Sequence, residues 1–287
     1  MSILKEIPIG IYEKALPTSI GWEERLSAAA KAGYDFVEIS IDESDQRLAR
    51  LNWNKKERDE LRQAVLATGV KIPTMCLSGH RKYPLGSEDV EIRRQALDIM
   101  EKAINFAVDT GIRIVQVAGY DVFYEKSNEK TRGNFLDGLR RSVAWAEKAG
   151  VMLAIETMDY EFMNSVEKTM AFVKLINSPW LQVYPDIGNL SAWGQDINKE
   201  FEAGRGHIVA VHVKDTVPGE FRRVPFGQGK VPFAAAFRKL ASMDYKGPVL
   251  VEMWNDDAAD SINIIAEARR YISNQMLNGW SQVSQGV

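Results

Sequence analysis

Lys148-Ala-Gly150-Val-Met-Leu-Ala-Ile155 joins the end of an amphipathic segment to a short apolar run through a single glycine. The same succession stands three times upstream. Lys31-Ala-Gly33-Tyr-Asp-Phe-Val-Glu-Ile39 is the first copy, Ala67-Thr-Gly69-Val-Lys-Ile-Pro-Thr-Met75 the second and Asp109-Thr-Gly111-Ile-Arg-Ile-Val-Gln-Val117 the third. Each glycine falls where a helix C-cap needs a residue in the left-handed region. The glycines lie 36, 42 and 39 residues apart (33 to 69 to 111 to 150), room for one helix, one strand and two loops. Dividing 287 by eight gives about 36, and eight such units close into a parallel barrel. The fold class is therefore read as α/β, a (β/α)8 TIM barrel.

The remaining units follow from periodicity. Ile7-Pro-Ile-Gly-Ile11 is a first strand, and further strands are expected near Phe36, Ile72 and Ile114. Leu51 to Ala67 reads as a helix with Leu61, Val65 and Leu66 inward. The clearest helix follows Ser87 as its cap, with Ile92, Ala96, Ile99, Met100, Ala103, Ile104 and Ala107 on one face. Thr131 to Ala149, Val166 to Ile176 after Ser165, Phe233 to Met243 and Ser261 to Met276 supply the others. No stretch rich in proline, glycine or serine interrupts this series. Residues 1–287 are expected to form a single TIM-barrel domain with a polar C-terminal tail from about 279.

Four later strands each deliver a polar group at or near their end. Val151-Met-Leu-Ala-Ile-Glu156 brings Glu156, Leu181-Gln-Val-Tyr-Pro-Asp186 brings Asp186, Ile208-Val-Ala-Val-His212 brings His212 and Val249-Leu-Val-Glu252 brings Glu252. As the fifth to eighth strands they cover half the barrel wall, and barrel enzymes gather their chemistry at that end. Three carboxylates and one imidazole suit one divalent cation, Mn²⁺, Zn²⁺ or Mg²⁺. Two glutamates facing each other across such an ion suit proton removal on one face of a carbon and return on the other. A polarised carbonyl acidifies the neighbouring carbon and stabilises the enediolate. From this pattern alone, epimerisation, metal-assisted hydrolysis and aldose–ketose isomerisation all stay open.

Composition narrows the partners. Apolar residues make up 45% and charged residues 26% of the chain, and the net charge is −3. No basic field exists to hold nucleic acid or an anionic membrane. The N-terminus has no signal-peptide pattern and no apolar run has the length of a membrane span, so a cytoplasmic location is expected. The lone cysteine, Cys76, lies in the apolar run Pro73-Thr-Met-Cys-Leu77 and reads as buried and inert.

Several long strings carry a family resemblance. They are Gly10-Ile-Tyr-Glu-Lys-Ala-Leu-Pro17, Met75-Cys-Leu-Ser-Gly-His80, Tyr83-Pro-Leu-Gly-Ser87, Gln116-Val-Ala-Gly-Tyr-Asp121, Tyr184-Pro-Asp-Ile-Gly-Asn-Leu-Ser-Ala-Trp193, His207-Ile-Val-Ala-Val-His-Val-Lys-Asp-Thr216 and Pro225-Phe-Gly227. From Ile7 to about Arg270 the chain resembles the xylose-isomerase-like barrels and, within them, the L-ribulose-5-phosphate 3-epimerase (L-xylulose-5-phosphate 3-epimerase) family of L-ascorbate utilisation. The resemblance implies a metal-dependent 3-epimerase acting on a small phosphorylated ketopentose. It implies Glu156, Asp186, His212 and Glu252 as metal ligands, with Glu156 and Glu252 also exchanging the C3 proton. A homodimer is a compatible assembly. Two departures concern substrate contacts. Related sugar epimerases often carry histidine where this chain has Asn189. They also carry arginine after a Pro-Gly string, whereas Pro218-Gly219 is followed here by Glu220, leaving Arg222 or Arg223 as replacements.

A phosphorylated substrate needs cations and backbone donors at the mouth. His80-Arg81-Lys82 and Lys214 with Gly227-Gln-Gly229 are the two candidate clusters. The expected substrate-binding residues are His80, Asn189, Lys214, Gly227, Gly229 and Arg223. Trp193, Trp254 and Tyr12 are candidates for an apolar wall. A DNA-repair endonuclease of the same superfamily needs a histidine-rich three-metal site, and this chain has three histidines in all. Isomerisation by hydride shift uses two metals, and one ligand set is legible. A non-catalytic sugar-binding barrel gives the paired glutamates no role.

Overall fold

Gly69, Gly111 and Gly150 end their helices in the left-handed region, with φ of 72°, 82° and 68°. The strand that follows each one enters the barrel wall. The structure, a computed structural model, describes residues 6–255 and 258–284. The wall strands are β1 (Ile9–Tyr12), β2 (Phe36–Ile41), β3 (Lys71–Leu77), β4 (Ile114–Ala118), β5 (Met152–Glu156), β6 (Leu181–Tyr184) and β7 (Val211–Val213). A hairpin of β8 (Asp215–Val217) and β9 (Glu220–Val224) turns at Pro218-Gly219 before the last wall strand, β10 (Val249–Val251). The wall runs β6-β5-β4-β3-β2-β1-β10-β7, parallel throughout.

The ring closes between β6 and β7 through a thin seam. Two isolated bridges, Val183 with Ile208 and Asp186 with His212, span it. Val183 N donates to His207 O (3.0 Å), Val209 N to Val183 O (3.1 Å) and His212 N to Pro185 O (2.9 Å).

Alternation along the strands sends one set of side chains to the surrounding helices and the other into the barrel. On β2, Val37, Ile39 and Ile41 join the main core between wall and helices. Phe36, by contrast, meets Tyr12, Cys76 and Leu250 in a separate small cluster, and Ala154, Tyr184 and Ala210 form a second. A Cβ on Gly10 would stand 2.3 Å from the Phe36 ring, so this ring needs glycine opposite it. Pro73 interrupts β3 without a donor N–H, and the β2–β3 register shifts there, between the pairs Phe36–Lys71 and Glu38–Thr74.

Several helix details differ from the sequence reading. The helix expected from Leu51 starts at Lys55, capped by Asn54, because a 3-10 turn occupies Ala49–Asn52. Leu61 is buried, but Leu66 points to solvent at 74% exposure. Asp89, two residues beyond the expected cap Ser87, caps the helix Val90–Thr110 by accepting from Glu91 N (2.7 Å). Ser165 caps Val166–Ile176 as expected. The last helix runs Ser261–Ser284 through the region read as a polar tail. Gly279 lies tight against Ala234 O, and Trp280 packs on Phe237. Among the described residues no helix is long and apolar enough to cross a membrane.

Candidate active site

Glu156 is the final residue of β5, Asp186 lies just past β6, His212 is central in β7 and Glu252 follows β10. One ligand atom from each lies within 4.8 Å of all the others. Each is held by its own local structure. Asp186 caps the helix Ile187–Ala192, with Oδ1 accepting from Asn189 N (2.9 Å), so Oδ2 is left for the barrel axis. Thr157 Oγ1 accepts from Asp186 N (2.8 Å) and fixes the chain there. Gln116, from β4, donates to Glu156 Oε2. Glu252 N donates to Val213 O (2.9 Å), which ties the end of β10 to β7.

Lys214 enters this cluster directly. Its Nζ stands 2.7 Å from Asp186 Oδ2 and 2.7 Å from Glu252 Oε2. His212 lies between two carboxyl groups, with Nε2 2.9 Å from Glu38 Oε1 and Nδ1 2.9 Å from Glu156 Oε1. These neighbours decide the protonation balance. Burial pushes the Glu156 carboxyl up, and the nearby imidazole does not cancel it, so the group stays above the usual carboxylate range. Burial acts on Glu252 too, but the Lys214 ammonium and His212 outweigh it and hold that carboxyl low. Burial would lower His212 and Lys214, yet their carboxylate partners raise both well above their ordinary values.

The donor set fits one divalent cation. Glu156, Asp186 and Glu252 bring three carboxyl groups together with one imidazole, beside the Lys214 ammonium, and Glu38 stands behind the imidazole at Nε2. Asp186 Oδ2 and His212 Nδ1 are buried and complete no hydrogen bond, although charged neighbours lie within 2.9 Å of each. Atoms that converge on one centre while missing hydrogen-bond geometry are what a ligand sphere requires.

The expected substrate-binding residues separate. Lys214 and Asn189 line a small cavity of about 60 Å³ at the strand ends, with Glu156 and Glu252. Asn189 Nδ2 donates to Thr157 O (2.9 Å), which leaves its buried Oδ1 without a partner. His80 is elsewhere: it is buried with Nε2 3.0 Å from Ala96 O, beneath the helix Val90–Thr110. The Gly227-Gln-Gly229 turn does not offer its donors to a phosphate. Gly227 N (2.8 Å) and Gly229 N (3.0 Å) both donate to Asp215 Oδ2. Arg223 lines a neighbouring 590 Å³ cavity that shares Lys214, Glu252 and Trp254 with the first. It is exposed, and its φ of 62° is left-handed. Trp254 lies under Lys214, Nζ 5.9 Å from its ring, and Tyr12 also lines the small cavity. Trp193 instead packs at a tilt against Phe221 of the hairpin, with ring centroids 5.5 Å apart.

Other cations share the mouth: Arg81 and Arg222, both candidates from the sequence, and Lys14, which sequence reasoning missed. Arg222 reaches Asp159 Oδ2 (2.6 Å), Arg81 donates to Tyr120 OH (3.2 Å), and Lys14 pairs with Asp42. All three line the small cavity beside Lys214. Glu38 and Gln116 were missed as well. A signal existed, since a carboxyl or amide inside a buried strand such as Phe36-Val-Glu-Ile-Ser-Ile41 needs a partner across the barrel.

Residues 26–275 match the xylose isomerase-like TIM barrel family, and the chain belongs to it. Relatives named L-ribulose-5-phosphate 3-epimerase UlaE, from Escherichia coli and Escherichia fergusonii, are each 54% identical over 272 residues, 95% of this chain and 96% of theirs. Within the barrel family the chain is thus a member of the L-ribulose-5-phosphate 3-epimerases, sugar-phosphate epimerases and so isomerases. Solved structures agree on the fold. An L-ribulose 3-epimerase superimposes with a TM-score of 0.81 at 19% identity, covering 97% of both chains. A 3-keto-D-glucoside 4-epimerase from E. coli gives 0.78 at 19% identity, covering 93% of this chain and 99% of its own.

Proposed function

We propose that this protein interconverts L-xylulose 5-phosphate and L-ribulose 5-phosphate by two-base proton exchange at C3. The observation that carries the reading is the convergence of two glutamates, Glu156 and Glu252, on His212 Nδ1, at 2.9 and 4.0 Å. The 54% identity to named 3-epimerases supports the choice of substrate. One divalent cation, Mn²⁺, Zn²⁺ or Mg²⁺, belongs to Glu156, Asp186, His212 and Glu252. When bound it supplies Lewis acidity that makes the carbon beside a carbonyl more acidic.

The residues of the chain do the proton work. One glutamate takes the C3 proton from its face of the sugar, and the other returns a proton to the opposite face, inverting the centre. Glu252, kept ionised by Lys214, suits the role of acceptor, and Glu156, raised by burial, suits that of donor. In the reverse direction the roles exchange. A positioned base or acid of this kind contributes about 10²–10⁴-fold. Lys14, Arg81, Lys214 and Arg222 give the mouth the positive charge a phosphorylated sugar needs.

The test is turnover of L-xylulose 5-phosphate in D₂O with added Mn²⁺. The product should carry deuterium at C3. Glu156→Gln and Glu252→Gln, with metal content verified, should each lose at least about 10²-fold of epimerisation. One of the two should still exchange the C3 hydrogen of a given epimer without inverting it. Near-normal epimerisation by either variant ends the two-base mechanism. Transfer of hydride between C1 and C2 without solvent exchange moves the protein to the aldose–ketose isomerases.

A further inference from the structure

Glu38 has no part in the proton exchange just described, yet it is fully buried inside the barrel on β2. Its level is set by register: Tyr12 pairs with it on one side and Thr74 on the other. Burying a carboxyl group costs several kcal/mol unless it is well partnered. The fold itself does not ask for one here, since Phe36, two residues earlier on the same face, is apolar.

Both oxygens of Glu38 are used, and both partners lead to one ring. Oε1 meets His212 Nε2 at 2.9 Å, and Oε2 accepts from Tyr184 OH at 3.0 Å. The Tyr184 ring lies edge-on to the His212 imidazole, with centroids 4.6 Å apart and planes at 71°. The backbone of His212 is pinned by its N–H to Pro185 O (2.9 Å). The imidazole is therefore fixed at its backbone, at one face and at Nε2. Only Nδ1 is left toward Glu156 and Glu252.

We infer that Glu38 is a positioning residue for the metal site. It holds the proton of His212 on Nε2, so that Nδ1 presents its lone pair to the cation, and Tyr184 holds Glu38 in place. A neutral imidazole carries one N–H, and the acceptor on one nitrogen selects the other as the ligand. A carboxylate acceptor also makes the ligand nitrogen more electron-rich. Loss of such a partner typically lowers metal affinity about 10–100-fold. The inference rests on the metal-dependent reading given above.

The test compares metal affinity in the full-length protein. The parent chain, Glu38→Gln and Tyr184→Phe are freed of metal with a chelator and titrated with Mn²⁺ by calorimetry. Epimerase activity is then followed against Mn²⁺ concentration. Glu38→Gln should raise the dissociation constant about 10–100-fold, and Tyr184→Phe should raise it by a smaller factor of about three or more. At saturating Mn²⁺, KM and kcat of Glu38→Gln should return to within several-fold of the parent. A residue that only shapes the fold would lower kcat at every metal concentration and leave affinity unmoved. Parent-like affinity in Glu38→Gln overturns the inference. Should that variant not fold, Tyr184→Phe decides: weakened Mn²⁺ binding supports the inference and parent-like binding overturns it. A parent chain that binds no Mn²⁺ removes the functional reading as well as this one, whereas parent-like variants remove this one alone.

Discussion

His80, just past β3, and His212, on β7, are equally hidden, at 2% and 0% exposure, but they face different surroundings. The His80 ring has a backbone carbonyl, Ala96 O, and burial brings its pKa down to about 4. The same burial acts on His212, but Glu38 and Glu156 reverse the direction and keep the ring's proton affinity high. Desolvation is thus common to both rings, and the partners decide what each can do. A ring that meets one carbonyl locks a helix to a strand. A ring between carboxyl groups can serve as a ligand and couples the charges around it.

The sharpest break in this comparison is a matched substitution. His212→Gln should lose about 10³-fold or more of kcat/KM, because a ligand and the charge balance of four carboxyl groups go with it. His80→Gln in the same assay should stay within about threefold, since its cost of about 1–3 kcal/mol falls on stability. Steady-state kinetics on both variants checks this, and equal losses would erase the distinction between the two rings.

Lys214→Met tests the next largest effect. The substitution leaves a similar volume but removes the ammonium between Asp186 and Glu252. The Glu252 carboxyl should then rise toward that of Glu156, and the asymmetry between the two glutamates should fade. We expect kcat to fall about 10²-fold, with a rise in KM for the phosphorylated sugar if the ammonium also meets substrate. An unchanged kcat and KM would remove Lys214 from the site.

The smallest effect is in stability against pH. His80 has a folded-state pKa of about 4, below its unfolded value of about 6.5. Above pH 6.5 the ring is neutral in both states and costs nothing. As pH falls below 6.5 the unfolded chain takes the proton first, so stability drops until the folded ring protonates near pH 4. Between pH 7 and pH 5 the loss is about 2 kcal/mol. Denaturant unfolding of the parent and His80→Gln at the two pH values should show the parent losing that much more than the variant. Parallel pH dependence would mean that the ring is not held neutral.

Much of this is legible in the sequence alone. The glycines at 69, 111 and 150 announce helix ends because only a left-handed cap explains them. The strand ends at Glu156, Asp186, His212 and Glu252 read as one site once the barrel is assumed, and the structure brings the four together. What lay beyond reach was direction across the barrel. Glu38 and Gln116 are far from their partners in sequence, and nothing local says that they point at His212 and Glu156. Two loops misled for a different reason. Gly227-Gln-Gly229 has the composition of an anion-binding turn, but Asp215 satisfies its N–H groups from within the chain. His80 stands beside Arg81 and Lys82 in sequence, yet a 3-10 turn over Gly79–Arg81 points it inward while Lys82 reaches out to Asp45.

The thin seam between β6 and β7 gives the site a second meaning. Elsewhere the wall is laced by continuous ladders, but here it depends on two bridges, one of them joining Asp186 to His212. A cation drawing on both residues would clasp the ring at its weakest join. Loading would then act as a latch on barrel closure, and amide protons of Val183, Val209 and His212 would exchange with solvent more slowly in the loaded protein. The ligands that serve the reaction would also be the rivet that keeps the barrel round.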